Sequence, residues 1–213
     1  MTLPASGTLS LNDINTEFNL GRNLAAYRGQ RWFRDDNTRG YFDDSTTGNF
    51  PPIDVSEFYS KRSPSSVSFP VGQVNTYTSV GTYSFPINFF YNTLLIEVRG
   101  GNGADGQDGT SQYECNGFDY KGNPICGFVW RNGANGAPGT ASSFGSFVSG
   151  AGGAGGNGAT GSGGFGKTSG LPGTYNSIII NAETNSSAPL KGSSVSYTVG
   201  SGTGSYVRIT VQS

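Results

Sequence analysis

Histidine is absent from this chain of 213 residues, and with it the commonest general base and metal ligand at neutral pH. Charge is scarce as well. Only 13% of residues are Asp, Glu, Lys or Arg and the formal net charge is −1, which gives no electrostatic case for nucleic acid or an anionic membrane surface. Hydrophobic residues make up 34%, and no apolar run approaches the roughly 20 residues needed to cross a bilayer, so membrane insertion is not expected. No secretory leader is expected either, because polar residues and a proline follow Met1 instead of a basic and then an apolar stretch. Two cysteines without histidine are too few for a zinc site. The expectation is a soluble, non-catalytic chain without cofactor or metal.

Glycine is what the chain has in abundance, 35 residues of it, together with 14 Phe and 11 Tyr that argue against plain disorder. Three runs place glycine at every third position: Gly100, Gly103, Gly106 and Gly109; then Gly133, Gly136 and Gly139; then Gly152, Gly155, Gly158, Gly161 and Gly164. A period of three is neither the 3.6 of an α-helix nor the 2 of a strand, but it is that of a polyproline-II-type helix. Such a helix makes no internal hydrogen bonds, so its N–H and C=O groups must find water or another segment. With no Cβ at every third residue, one edge is bare backbone along which neighbours can pair. The runs are short and interrupted, with Pro138 the one proline inside them. Packing of polyglycine-II-type runs within one chain is therefore expected over a flexible linker or a collagen triple helix.

Along the chain, residues 1–62 read as an extended N-terminal arm with short helices. Ser10 suits an N-cap, with Asp13 in the first turn and Leu11, Ile14 and Phe18 on one face of a two-turn helix ended by Gly21. Residues 24–27 offer a second turn broken at Gly29, and residues 51–59 repeat the pattern of the first helix. So few aliphatic residues make a poor autonomous domain, so this arm is expected to order against a partner. Leu11, Ile14, Phe18, Tyr27, Ile53, Phe58 and Tyr59 are its docking or oligomerisation candidates. Residues 63–66 read as a linker. Residues 67–213 turn to β, with strands expected at 67–71, 74–80, 82–87, 93–99, 143–149, 176–182, 194–199 and 205–211. Leu94, Ile96 and Val98 alternate with Leu95, Glu97 and Arg99, and Val207, Ile209 and Val211 with Arg208 and Thr210. The expected fold is mainly β: a β-sandwich-like domain with packed glycine runs, preceded by the arm.

Four motifs match by letters alone. Gly101-x-Gly103-x-x-Gly106 follows a strand as a dinucleotide fingerprint should, but nothing after it has a helical period. Residues 161–168 spell a P-loop, yet Gly170, Pro172 and Gly173 follow where a helix is required. Asp35-x-Asn37-x-Arg39-Gly40 hints at a calcium loop, but an arginine holds the third ligand position and Thr46 the twelfth. The pairs Asp35/Asp36 and Asp43/Asp44 sit in a polar loop that gives no reason for the raised pKa of a general acid.

The path TLLIEVRGGNGADG, then SSFGSFVSGAGGAGGNGATGSGG, then SYTVGSGTGSYVRITV resembles the glycine-rich C-terminal domains of bacteriophage tail fibres and related virion proteins. The stretches SGTLSLNDINTEF, NLAAYRG and FPPIDVSEFYSK resemble the short attachment segments of tailed-phage structural proteins. The resemblance implies a virion component assembled in the host cytoplasm. Its N-terminus would dock on baseplate or tail proteins, and its far end would meet a host glycan or outer-membrane protein. It also implies homotrimers, which nothing in the residue spacing shows. Residues 110–132 depart from an uninterrupted glycine tract.

That insert carries Cys115 and Cys126. A disulfide between them would stabilise by roughly 3 kcal/mol, whereas a reducing cytoplasm favours two free thiols. If the flanking runs are antiparallel rods, the insert is a hairpin at their tip. Tyr113, Phe118, Tyr120, Trp130 and Arg131 are then either receptor contacts or a local aromatic core that props the loop. An adhesive tail fibre is the leading reading of the chain. The alternatives are a purely structural fibre component without receptor contact and an ice-binding polyglycine-II protein, whose flat face Asn102, Asp105, Gln107, Asp108 and Pro138 would interrupt.

Overall fold

The structure is a computed structural model describing residues 3–35, 38–42, 53–64, 67–68, 70–160 and 164–212. It is mainly β, with antiparallel sheets throughout.

The N-terminal part is folded, not extended. Ser10 caps α1 (Leu11–Phe18) in a capping box with Asp13, and Asn19 in the left-handed conformation closes it. Two 3₁₀ turns follow, Leu24–Tyr27 capped by Asn23 and Val55–Phe58 capped by Asp54 in a second capping box with Glu57. A short hairpin, β1 (Arg31–Phe33) with β2 (Arg39–Tyr41), lies between them. The start of this unit is closed onto its own end, since Leu3 N–H donates to Lys61 O at 3.3 Å and Ser60 N–H to Pro4 O at 2.9 Å.

Aromatic rings replace the missing aliphatics here. Phe18, Tyr27, Phe42 and Phe58 meet mostly edge to face, with Leu3, Ile14 and Ile53 around them. Ser63, the first residue of the expected linker, is buried and donates its N–H to Glu17 Oε1 at 2.9 Å. Among the described residues, several contacts join this unit to the β domain. Phe33 packs on Phe90 beside Val67, Arg39 donates to Asn92 Oδ1 and Tyr91 O, and Arg31 pairs with Glu183.

In the β domain, two four-stranded sheets share one apolar core. The first runs β10 (Tyr175–Asn181), β5 (Thr93–Arg99), β12 (Tyr206–Val211), β3 (Val74–Tyr77). The second runs β4 (Gly81–Pro86), β11 (Ser194–Val199), β8 (Ser142–Phe144), β9 (Val148–Gly150). Leu94, Ile96 and Val98 of β5 and Val207, Ile209 and Val211 of β12 face Phe85, Phe144, Val195, Tyr197 and Val199. The alternation of β5 thus buries the expected face and leaves Glu97 to Tyr175 and Arg208 on the other.

Three expected strands differ, the one at 74–80 stopping at Tyr77. Residues 143–149 form a hairpin, β8 and β9, because Gly145 turns the chain at φ 52°. The described residues of 67–71 form no strand.

Candidate binding site at the end of the glycine segments

Four segments with no strand or helix assignment leave or enter these sheets: 100–109, 132–141, 151–160 and 167–174. The first continues β5 and the third continues β9. The second feeds β8 and the fourth feeds β10. Because β5 pairs with β10 and β8 with β9, the four emerge as two pairs of antiparallel neighbours.

Their backbone hydrogen bonds recur every third residue. Gly100, Gly103 and Gly106 donate to Thr174, Leu171 and Thr168 of the fourth segment at 2.9–3.1 Å. Gly101, Ala104 and Gln107 donate to Thr140, Ala137 and Ala134 of the second at 2.8–3.0 Å. Gly133, Gly136 and Gly139 donate to Ala159, Gly156 and Gly153 of the third, and Gly153, Gly156 and Ala159 donate onward to Gly101, Ala104 and Gln107. Thr168, Leu171 and Thr174 return to Asn157, Ala154 and Ala151.

Two stacked sheets normally stand about 10 Å apart with side chains between them. Here backbone bonds backbone across both layers, which requires that the facing residues lack side chains. An added Cβ at Gly103 would land on Ala154 O, at Gly136 on Ala104 O and at Gly156 on Thr168 O. The third segment touches all the others and, over residues 151–156, carries glycine at two of every three positions: Gly152, Gly153, Gly155 and Gly156.

Side chains at the remaining positions serve the same lattice. Asn102 Oδ1 accepts from Gly173 N–H at 3.1 Å, Asp105 Oδ1 from Gly170 N–H at 2.9 Å, and Asp108 pairs with Lys167 at 2.9 Å. Asn135 Oδ1 accepts from Gly158 N–H at 2.8 Å, and Thr168 Oγ1 from Asn157 N–H at 2.8 Å. Asn102 and Asp105 were expected only to interrupt a flat row; they are acceptors for the fourth segment. Their three-residue spacing, in step with the glycines, is the signal that identifies them. The fourth segment was not expected, since it carries only Gly170 and Gly173 in phase.

At the end remote from the sheets, the first and second segments are joined by β6 (Thr110–Phe118) and β7 (Pro124–Arg131), a two-stranded sheet of its own. Cys115 stands opposite Cys126 and the two are disulfide-bonded, which resolves the alternative of free thiols. The register puts Trp130, Tyr113, Phe128 and the disulfide on one face, and Arg131, Gln112 and Glu114 on the other. Arg131 pairs with Glu114 at 2.5 Å and donates Nε–H to Gln112 Oε1 at 2.9 Å. The Arg131 hydrogen bond holds the Glu114 carboxyl below its usual range. The turn is tied by Asp119, whose carboxylate accepts from Lys121 N–H, Asn123 N–H and the Asn123 amide, which hold its pKa down.

Of the receptor candidates, Tyr120 is 91% exposed, Phe118 72%, Tyr113 65% and Trp130 44%; Phe128, not among them, is 72% exposed. Tyr113 meets Phe128 edge to face at 5.2 Å, and Trp130 rests against Gly164. These rings cover no core. Phe165, 81% exposed after the third segment, stands outside any expected set.

The N-terminal candidates sit differently. Ile14, Phe18, Tyr27, Ile53 and Phe58 are buried in their own cluster, Tyr59 donates its hydroxyl to Gly7 O at 2.5 Å, and only Leu11 is exposed. They hold the unit together instead of facing outward.

The letter motifs find no support among the described residues. Residues 101–106 lie in the first segment and lead into β6, not a helix. Lys167 is spent on Asp108, and residues 161–163 lie outside the described residues. Asp35 pairs with Arg62, while Asp36, Asn37, Asp43, Asp44 and Thr46 lie outside the described residues. Among the described residues no group of three or more His, Cys, Asp or Glu could hold a metal, and no helix is long and apolar enough to cross a membrane.

Set against known proteins, the chain matches no family model, no curated protein and no solved structure.

Proposed function

We propose that this chain is an adhesive structural protein of a tailed-phage virion, a tail fibre or baseplate-attached receptor-binding protein. The observation that carries the reading is a hairpin with an uncovered aromatic face, set at the remote end of four segments cross-bonded at every third residue. Such bonding, with glycine at the positions where a Cβ would strike a neighbouring carbonyl, is what packed polyglycine-II-type helices require. At about 3.1 Å per residue, ten residues would carry the hairpin roughly 30 Å beyond the sheets. A stiff backbone lattice spends few side chains on its own core, and the aromatic rings are left for the tip. Flat rings bury area with little conformational loss, which suits a host glycan or outer-membrane protein. The folded N-terminal unit is then the docking end toward baseplate or tail proteins, and self-association into homotrimers is the assembly the resemblance implies.

The test pairs binding with stability. Tyr120→Ala and Trp130→Ala should abolish blocking of phage adsorption by the soluble chain while the melting temperature stays within about 2 °C. Unchanged blocking by both variants would remove the hairpin from receptor contact. An antibody to the chain, viewed on negatively stained virions, should label the tail; label elsewhere or nowhere would end the virion reading.

A further inference from the structure

We infer that the Cys115–Cys126 bond is a redox-operated lock on the hairpin end and not a staple of the fold. The inference rests on the adhesive reading for its purpose but on geometry for its mechanism. β6 and β7 pair only with each other, and a two-stranded hairpin alone is marginal in water. No core lies under it, for Tyr113, Phe118, Ile125 and Phe128 are all exposed. Its base is held by the glycine lattice through Gly109 N–H to Gly164 O at 3.2 Å and Gly133 N–H to Ala159 O at 2.9 Å. Past Glu114 and Arg131 the covalent link is the last strong tie between the strands before the turn, whose own hydrogen bonds to Asp119 are local. Beyond it the register slips between Cys115 and Phe118, and Gly117 and Gly122 adopt φ of 95° and 82°. The turn carrying Phe118 and Tyr120 is held internally by Asp119, and what fastens it to the strands below is a bond whose Cys115 end is exposed to solvent.

The chemistry is thiol–disulfide exchange with a small dithiol as reductant. Its thiolate attacks Cys115 Sγ, the S–S bond breaks, and Cys126 leaves as a thiolate that takes a proton. The second thiol of the reductant then displaces Cys115 from the mixed disulfide, and the dithiol becomes a cyclic disulfide. Two electrons pass to the chain, and a disulfide oxidant reverses the sequence. A chain folded in a thiol-reducing compartment would carry a loose tip that sets on release to oxidising surroundings.

Hydrogen exchange on the full chain, with and without dithiothreitol, tests this. On reduction, verified by two maleimide-reactive thiols, the amides of Gly122 and Asn123 should lose protection at least about tenfold, and those of Gly103, Gly136 and Gly156 should not change. A Cys115→Ser/Cys126→Ser variant should match the reduced chain without reductant. Retained protection in the reduced chain or in the double variant would overturn the lock. So would loosening of the glycine segments together with the tip, which would make the bond a staple of the whole domain. Cell binding is read separately: loss on reduction supports the gated tip, whereas an oxidised chain that never binds removes the adhesive reading and leaves the exchange data to decide the lock.

Discussion

At the residue scale, the glycines divide into those that backbones crowd and those that stand free, and one substitution type separates them. Gly156→Ala would place a methyl on Thr168 O within the lattice. Its backbone neighbours cannot yield without breaking bonds on two sides, so the cost should be about 3 kcal/mol or more, or failure to fold. Gly127→Ala, in β7, meets nothing within 4 Å and should change stability by less than about 0.5 kcal/mol. Urea midpoints of the two variants check the contrast; equal losses would mean that the spacing reflects flexibility and not contact. The glycine period was legible because it is a steric rule written directly in the letters. Lys61 was not. It is buried with Nζ over the Trp32 and Phe42 rings at 4.3 and 4.6 Å, and burial lowers its pKa to about 8. The unfolded chain keeps this proton up to about 10.5, so between those values the unfolded state binds more protons and stability rises with pH. The melting temperature of the N-terminal unit, followed by Trp32 emission in a Trp130→Phe background, should therefore climb from pH 7.5 to 9.5, and Lys61→Met should flatten the slope.

At the element scale, legibility followed how local the determinant is. β5 and β11 fall at the expected residues, and β12 within one, since two-residue alternation encodes one buried face directly. The helix cap at Ser10 was equally visible, as capping is a matter of three neighbouring residues. The hairpin at 142–150 was read as one strand because its turn rests on a single left-handed glycine in a segment of mixed Ser, Phe and Val. The fourth glycine segment was missed for a different reason. It lies on the outside of the bundle, so only one of its edges must be bare, and acceptors from the first segment supply the rest. Asp105→Ala should leave the Gly170 N–H without its acceptor and cost about 0.5–1.5 kcal/mol, while Asp105→Asn keeps the carbonyl and most of the stability. Denaturant unfolding of the two variants measures this; an equal loss in both would assign the effect to charge.

At the scale of the whole molecule, the sheets dictate where the segments start, the segments dictate where the hairpin stands, and the hairpin returns nothing to either. β6 and β7 share hydrogen bonds with no other strand, and the first and second segments are already bonded beside the hairpin through Gln107 N–H to Ala134 O at 2.9 Å. Their ends therefore lie close enough for a short turn, and replacing residues 110–132 by four glycines should leave the lattice closed. Loop closure favours the shorter connection, and no fully buried apolar side chain leaves with the hairpin, so the melting temperature should hold within about 3 °C or rise. The amides of Gly103, Gly136 and Gly156 should keep their protection, while the adhesive function proposed above requires that blocking of adsorption disappear. A collapse of the β domain on excision would reverse the order of dependence, making the hairpin the organiser of the segments instead of their cargo. Aromatic residues of the N-terminal cluster supply the counter-case: Phe18, Tyr27, Phe42 and Phe58 pack mutually, so Phe58→Ala should cost about 3–5 kcal/mol in that unit while leaving the glycine lattice and its tip intact.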